Sequence, residues 1–164
     1  MEQPKRKHPR LSGYDYGQDG VYFLTICTKD RAPILSEIVG RGILDAPLLR
    51  LTEIGRIVQN AMAYLEEHDP HIRIEKSVIM PNHIHILLTI CGSEGGASRM
   101  PRPTGMRIPQ FVSSLKRFTN REAGLVLWQT SYHDHVVRDD NDFLNHWSYI
   151  DQNLARWAED EYYA

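Results

Sequence analysis

The stretch Met80-Pro-Asn-His-Ile-His-Ile-Leu-Leu88 constrains the fold more than any other part of the chain. Side chains alternate across a strand, so Ile84, Ile86, Leu88 and Ile90 share one face. His83, His85 and Leu87 share the other. A uniformly apolar face has to be covered by helices, whereas two imidazoles side by side call for a different cover. The expected product is a sheet with a core on one side and a polar site on the other.

The remaining elements fit around that strand. Val21–Thr28 (VYFLTICT) is short, β-branched and aromatic, and reads as a buried strand. Leu51–Glu67 places Ile54, Ile57, Val58, Ala61, Met62 and Leu65 on one helical stripe, with Thr52 as its N-cap. His71–Met80 and Ile84–Ile90 are expected strands joined around the turn dipeptide Pro81-Asn82. Cys91–Pro109, with four glycines and three prolines, reads as a loop. Gln110–Ala123 is a basic amphipathic helix with Phe111, Val112, Leu115 and Phe118 inward. Tyr132–Arg138 is a fourth strand. Asp142–Glu159 is a final helix whose acidic first turn suits the positive end of the helix dipole. The order β-α-β-β-α-β plus a terminal helix predicts an α+β, ferredoxin-like antiparallel sheet. Two helices then cover one face and the extra C-terminal helix is left for the other. No repeat or internal boundary divides the 164 residues, so a single domain is expected. Within it, 1–20 form a basic arm, 92–109 a Gly/Pro-rich loop and 142–159 the C-terminal helix.

Composition removes several classes. At 41% apolar and 24% charged, the chain has neither a disordered nor a coiled-coil balance. No apolar run approaches the roughly 20 residues needed to cross a bilayer. The basic N-terminus lacks a secretory apolar stretch, and Cys27 and Cys91 form no CxxC spacing. A cytoplasmic protein with reduced thiols and no membrane partner is the expectation. The net charge of −2 conceals a partition. Arg99, Arg102, Arg107, Lys116, Arg117 and Arg121 lie in a segment without a single acid. Lys5, Arg6, Lys7 and Arg10 face only Glu2 in the first ten residues, and from Asp134 onward eight acids oppose Arg138 and Arg156. Such basic segments are either solvated faces or a phosphate-binding strip, and charge alone does not choose between them.

Two imidazoles at i and i+2 on a strand can converge on one divalent ion, although solvated or core histidines are commoner. A third ligand is sought in Trp147-Ser-Tyr-Ile-Asp-Gln-Asn153, where Tyr149 and Asn153 project from the same helical face. Tyr149 also suits plain packing beside Trp147, Ile150 and Leu154. A competing cluster is His133-Asp134-His135, which could join His83 and His85 in a four-histidine zinc site or pair with Cys91. It ranks lower, because the expected strand order sets the first and last strands on different sides of the central pair. His133 and His135 are left as structural or DNA-contacting residues.

These residues resemble a family. Tyr14-Asp-Tyr-Gly17, Tyr22-Phe-Leu-Thr-Ile-Cys-Thr28 and Met80-Pro-Asn-His-Ile-His85 occur in order, followed by Trp128-Gln129, Tyr132-His-Asp-His-Val-Val-Arg138 and Tyr149-Ile-Asp-Gln-Asn153. Together they resemble the single-tyrosine HUH transposases of insertion sequences, in particular the stand-alone REP-associated tyrosine transposases. The resemblance implies that His83 and His85 ligate a divalent metal, Mg²⁺ or Mn²⁺, with Asn153 as third ligand. It implies that Tyr149 is the nucleophile, carried on the C-terminal helix. The family usually follows that Asn with Pro; here Leu154 follows, which is expected to let the helix continue.

The activity so implied is metal-dependent cleavage and strand transfer of single-stranded DNA near hairpins through a 5′-phosphotyrosine, by a homodimer or by a monomer acting in cis. The basic residues of the N-terminal arm and of Arg99–Arg121 are the expected DNA contacts, led by Lys116 and Arg117. The alternatives are a non-catalytic DNA- or RNA-binding module or domesticated regulator on the same fold, and a zinc-stabilised interaction domain.

Overall fold

A computed structural model describes residues 20–40, 48–91 and 107–157. Strand β1 (Gly20–Cys27) leads through a short 3₁₀ turn to a small hairpin, β2 (Ser36–Val39) and β3 (Leu48–Leu51). Helix α1 (Glu53–His68) follows, then β4 (Ile72–Ile79), β5 (His83–Ile90), α2 (Arg107–Ala123), β6 (His133–Val137) and α3 (Asp140–Gln152). The main sheet has the order β4-β5-β1-β6 and every pairing in it is antiparallel. The ferredoxin-like expectation is borne out, with the β2–β3 hairpin as an addition. Its strands are four residues each, too short for a periodicity to register.

Ile84, Ile86, Leu88 and Ile90 are buried with Tyr22, Leu24 and Ile26 of β1 against Val58 and Met62 of α1 and Phe111, Val112 and Leu115 of α2. Alternation alone put those side chains together. Phe118 is only half-buried, its ring edge-on to Tyr64 of α1. On the opposite face Phe23, Leu87 and Ile150 form a second cluster with Phe143, Trp147 and Tyr149, so α3 covers this side. Lys76 of β4 ties that helix down, pairing with Asp151 and lying 4.3 Å from the Trp147 ring centre.

One expectation is corrected. The first strand is not set apart from the last: β1 lies inside the sheet and pairs with both β5 and β6. In register, Thr25 stands opposite His85 on one side and His133 on the other. Two strand spacings, about 10 Å, therefore divide the two HxH pairs. Among the described residues no group of three or more ligand atoms joins the two HxH pairs, so the four-histidine zinc site is not assembled.

The start of α1 depends on a close approach. Thr52 caps it, its hydroxyl accepting from the Gly55 N–H at 3.1 Å. The Leu35 carbonyl accepts from both the Thr52 N–H and its hydroxyl, at 3.0 Å each, and is held in place. A Cβ at Gly55 would lie 2.0 Å from that oxygen. Gly55→Ala should therefore destabilise the protein by about 3 kcal/mol in urea melts, despite the better helix propensity of Ala. An unchanged midpoint would mean that the Leu35 segment gives way freely.

Helix α3 begins at Asp140 because the Asp139 carboxylate accepts from the Asp142 N–H at 2.8 Å. It does not continue as expected. Asn153 is its C-cap, and the next residues run in turns, with the Arg156 N–H donating to Gln152 and the Trp157 N–H to Leu154. Replacing Pro by Leu removes a barrier to helix without supplying a reason to extend it.

Candidate active site

The β4–β5 turn sets the first histidine. Thr28 donates to the Asn82 carbonyl through its N–H (2.9 Å) and its hydroxyl (3.0 Å), and the Leu35 N–H donates to the Pro81 carbonyl. With its backbone pinned, Asn82 offers Oδ1 to His83 Nδ1 at 2.8 Å. A carboxamide oxygen only accepts, so Nδ1 carries the proton and Nε2 the lone pair. His85 is held through Nδ1 by the Thr25 hydroxyl at 2.8 Å. Both rings are thus oriented through one nitrogen, as metal-ligating imidazoles commonly are.

The two imidazole centroids are 4.6 Å apart. Tyr149 stands edge-on to His85 at 5.2 Å, and Trp157 stacks on His83 at 5.8 Å. Asn153 falls one turn after Tyr149 and one turn before Trp157, and is 2% exposed. Its Oδ1 and the Nε2 atoms of both histidines are shielded from solvent. Residues 60 or more positions apart in sequence are brought together here, from β5 and from α3 with the turns that follow it. Two imidazoles and a carboxamide oxygen are all neutral donors with lone pairs, and the set fits a divalent cation.

Burial, aided by the neighbouring His83 and His146, holds the His85 imidazole well below its usual value near 6.5. Below pH 6.5 the unfolded chain takes up this proton and the folded one does not. Stability is then complete above about pH 6.5 and declines as pH falls toward the lowered value. Melting temperatures between about pH 7.5 and about pH 5 should drop more steeply for the natural protein than for His85→Gln. Parallel slopes would assign the decline elsewhere.

Among the described residues the expected DNA contacts are not gathered at this site. Lys5, Arg6, Lys7, Arg10, Arg99 and Arg102 lie outside the described residues. Arg107, Lys116, Arg117 and Arg121 belong to α2, which packs on the opposite face of the sheet from His83 and His85. Lys116 donates to the carbonyls of Gln129, Thr130 and Ser131 at 2.7, 3.2 and 3.4 Å, so its ammonium braces the segment before β6. Arg107 lies 3.8 Å from Asp69, and the Arg117 guanidinium sits over the Phe118 ring at 5.2 Å. Thr25, Asn82 and Trp157 escaped the sequence reading. Asn82 carried a signal, its place immediately before the histidine pair, but a turn dipeptide explained it fully.

The chain is 26% identical over 156 residues to a Haemophilus influenzae protein named as a REP-associated tyrosine transposase, across 89% of this chain and 77% of that one. In sequence this chain is similar to a REP-associated tyrosine transposase. The resemblance seen in the motifs is therefore borne out across most of the sequence. An uncharacterized protein of Haemophilus influenzae is 25% identical over 173 residues, covering 96% of this chain and 93% of its own. No protein-family model matches. In fold, the chain resembles a solved REP-associated tyrosine transposase bound to a REP hairpin. The TM-score is 0.62 at 20% identity, over 90% of this chain and 74% of that one. Relationship to these transposases supports DNA processing as the general activity. Among the described residues no helix is long and apolar enough to cross a membrane.

Proposed function

We propose that the protein cleaves and rejoins single-stranded DNA beside hairpins, with Tyr149 as nucleophile and His83, His85 and Asn153 as holders of Mg²⁺ or Mn²⁺. The observation that carries this reading is the contact of Tyr149 and Trp157 with two oriented imidazoles, with the buried Asn153 one turn from each of them in the chain. Kinship with the REP-associated tyrosine transposases supports the reaction class, and the REP hairpin held by the solved transposase supports the substrate class.

In this reading the Tyr149 oxygen attacks a backbone phosphorus and the P–O3′ bond breaks. The products are a 5′-phosphotyrosine and a free 3′-hydroxyl, which receives the proton that the phenol gives up. One phosphoester replaces another, so the bond is conserved and strand transfer runs without ATP. A bound divalent ion supplies Lewis-acid stabilisation of the scissile phosphate. Thr25 and Asn82 keep the two imidazoles aimed, and Phe23, Ile150 and Trp157 keep water out. Lys5, Arg6, Lys7, Arg10, Arg99 and Arg102 bind backbone phosphates, and Arg107, Arg117 and Arg121 of α2, with Lys116 to the extent that it leaves its carbonyls, bind phosphates away from the scissile one. A strand gripped at both places has to pass around the sheet edge.

Labelled hairpin oligonucleotides with single-stranded flanks, incubated with protein and Mn²⁺ and run on a denaturing gel, test the reading. A protein–DNA adduct lost with chelator is the expected result. Binding without any adduct would leave the non-catalytic DNA-binding module as the better description.

A further inference from the structure

A second group of ligand atoms lies at the joint between β6 and α3. His135 Nε2 is 2.8 Å from Asp142 Oδ2, and His146 Nδ1 is 3.1 Å from Asp142 Oδ1 and 2.8 Å from its carbonyl oxygen. The two imidazoles stack with centroids 4.7 Å apart, and one ligand atom from each residue falls within 4.8 Å of the others. Asp142 and His146 are one turn apart on α3, while His135 comes from the edge strand. The Arg138 N–H also donates to Asp142 Oδ2, at 3.1 Å, fixing the carboxylate. Burial opposes the charge on Asp142, but the hydrogen bonds from His135 and Arg138 and the adjacent imidazoles hold its carboxyl below the usual range.

We propose that His135, Asp142 and His146 form a second metal site, separate from the His83–His85 pair, that takes a divalent cation of the Zn²⁺ class. Two imidazoles and one carboxylate are a donor set that favours Zn²⁺ over Mg²⁺ or Ca²⁺. Tetrahedral bonds of about 2.0–2.1 Å require donors about 3.3 Å apart, so the contacts to Asp142 open slightly while ligand atoms now grouped within 4.8 Å draw in around the ion. In the bound form each imidazole offers a lone pair from the nitrogen facing the ion and keeps its proton on the other one. His135 is about half exposed, which leaves the remaining coordination positions to water. The Phe23 ring, 5.1 Å from His85 and 4.5 Å from His146, stands between the two sites. An ion here would bolt the start of α3, the helix that carries Tyr149, to the sheet. The inference does not rest on the strand-transfer reading.

Equilibrium dialysis of the metal-free protein against Zn²⁺, with metal counted by mass spectrometry, tests it. The natural protein should bind one equivalent more than His135→Ala or His146→Ala, and millimolar Mg²⁺ should not displace it. In either variant that equivalent should weaken by about tenfold or more. Because a variant could lose metal by misfolding, the Co²⁺ difference spectrum of the natural protein minus His135→Ala is the second measurement. Visible bands of a four- or five-coordinate ion are expected. Equal stoichiometry in all three proteins, or a featureless difference spectrum, overturns the proposal.

Discussion

Tyr149→Phe is expected to remove the covalent DNA adduct altogether, cutting strand cleavage by at least about 10³-fold while leaving the melting temperature nearly unchanged. The substitution deletes one oxygen and keeps the ring. That ring contacts His85 at 5.2 Å and Phe23 at 6.0 Å, and it is part of the apolar seam joining α3 to the sheet. Packing survives, so hairpin binding in a native gel should stay within a few-fold of the natural protein. The same preparation run on a denaturing gel should show no shifted band. A persistent adduct would assign the nucleophile to another residue. Loss of binding together with the adduct would make Tyr149 a structural or DNA-contacting residue.

Replacing both His83 and His85 by Ala should have an effect of comparable size on cleavage, through a different cause. Without the two imidazoles the Asn153 carboxamide alone cannot hold a divalent ion, and cleavage should fall by at least about 10³-fold at any practicable Mn²⁺ concentration. Stability is the informative control. Each ring is buried, and its removal strands the Thr25 hydroxyl and the Asn82 side chain that now orient it. A cost of about 2–4 kcal/mol is expected. The apolar core on the other face is untouched, so the circular dichroism of a folded protein should persist. Manganese binding followed by electron paramagnetic resonance separates the outcomes. A folded double variant that binds Mn²⁺ as well as the natural protein would put the ion elsewhere, and one that cleaves normally would end the metal-dependent reading.

Much of this arrangement was legible because it follows from local periodicity. Alternation along His83–Ile90 separated the core residues from the two imidazoles before any contact was known. The i+4 spacing of Tyr149 and Asn153 put both on one helical face, and Thr52 announced the start of α1. What escaped depends on approach between distant segments. Asn82 looked like a turn residue because nothing local says that Thr28 pins its backbone. Lys116 looked like a phosphate contact because the carbonyls of Gln129, Thr130 and Ser131 are unremarkable until the chain folds back to meet it. The position of β1 was misread for the same reason, since strand order is a property of the crossovers and not of any strand.

Sequence by itself thus determined which side chains share a face, where α1 starts, and that a histidine pair and a tyrosine–asparagine pair exist, whereas α2 begins at Arg107, inside the expected 92–109 loop, and α3 at Asp140. Periods of 2 and 3.6 residues are imposed by the backbone wherever a strand or helix forms. Tertiary structure alone decided that Tyr149 meets the histidine pair, that α2 with its basic residues lies across the sheet from them, and that His135, Asp142 and His146 converge. Those outcomes depend on which apolar face is buried against which. Burial free energy is non-directional and is summed over the whole domain, so no local pattern encodes it.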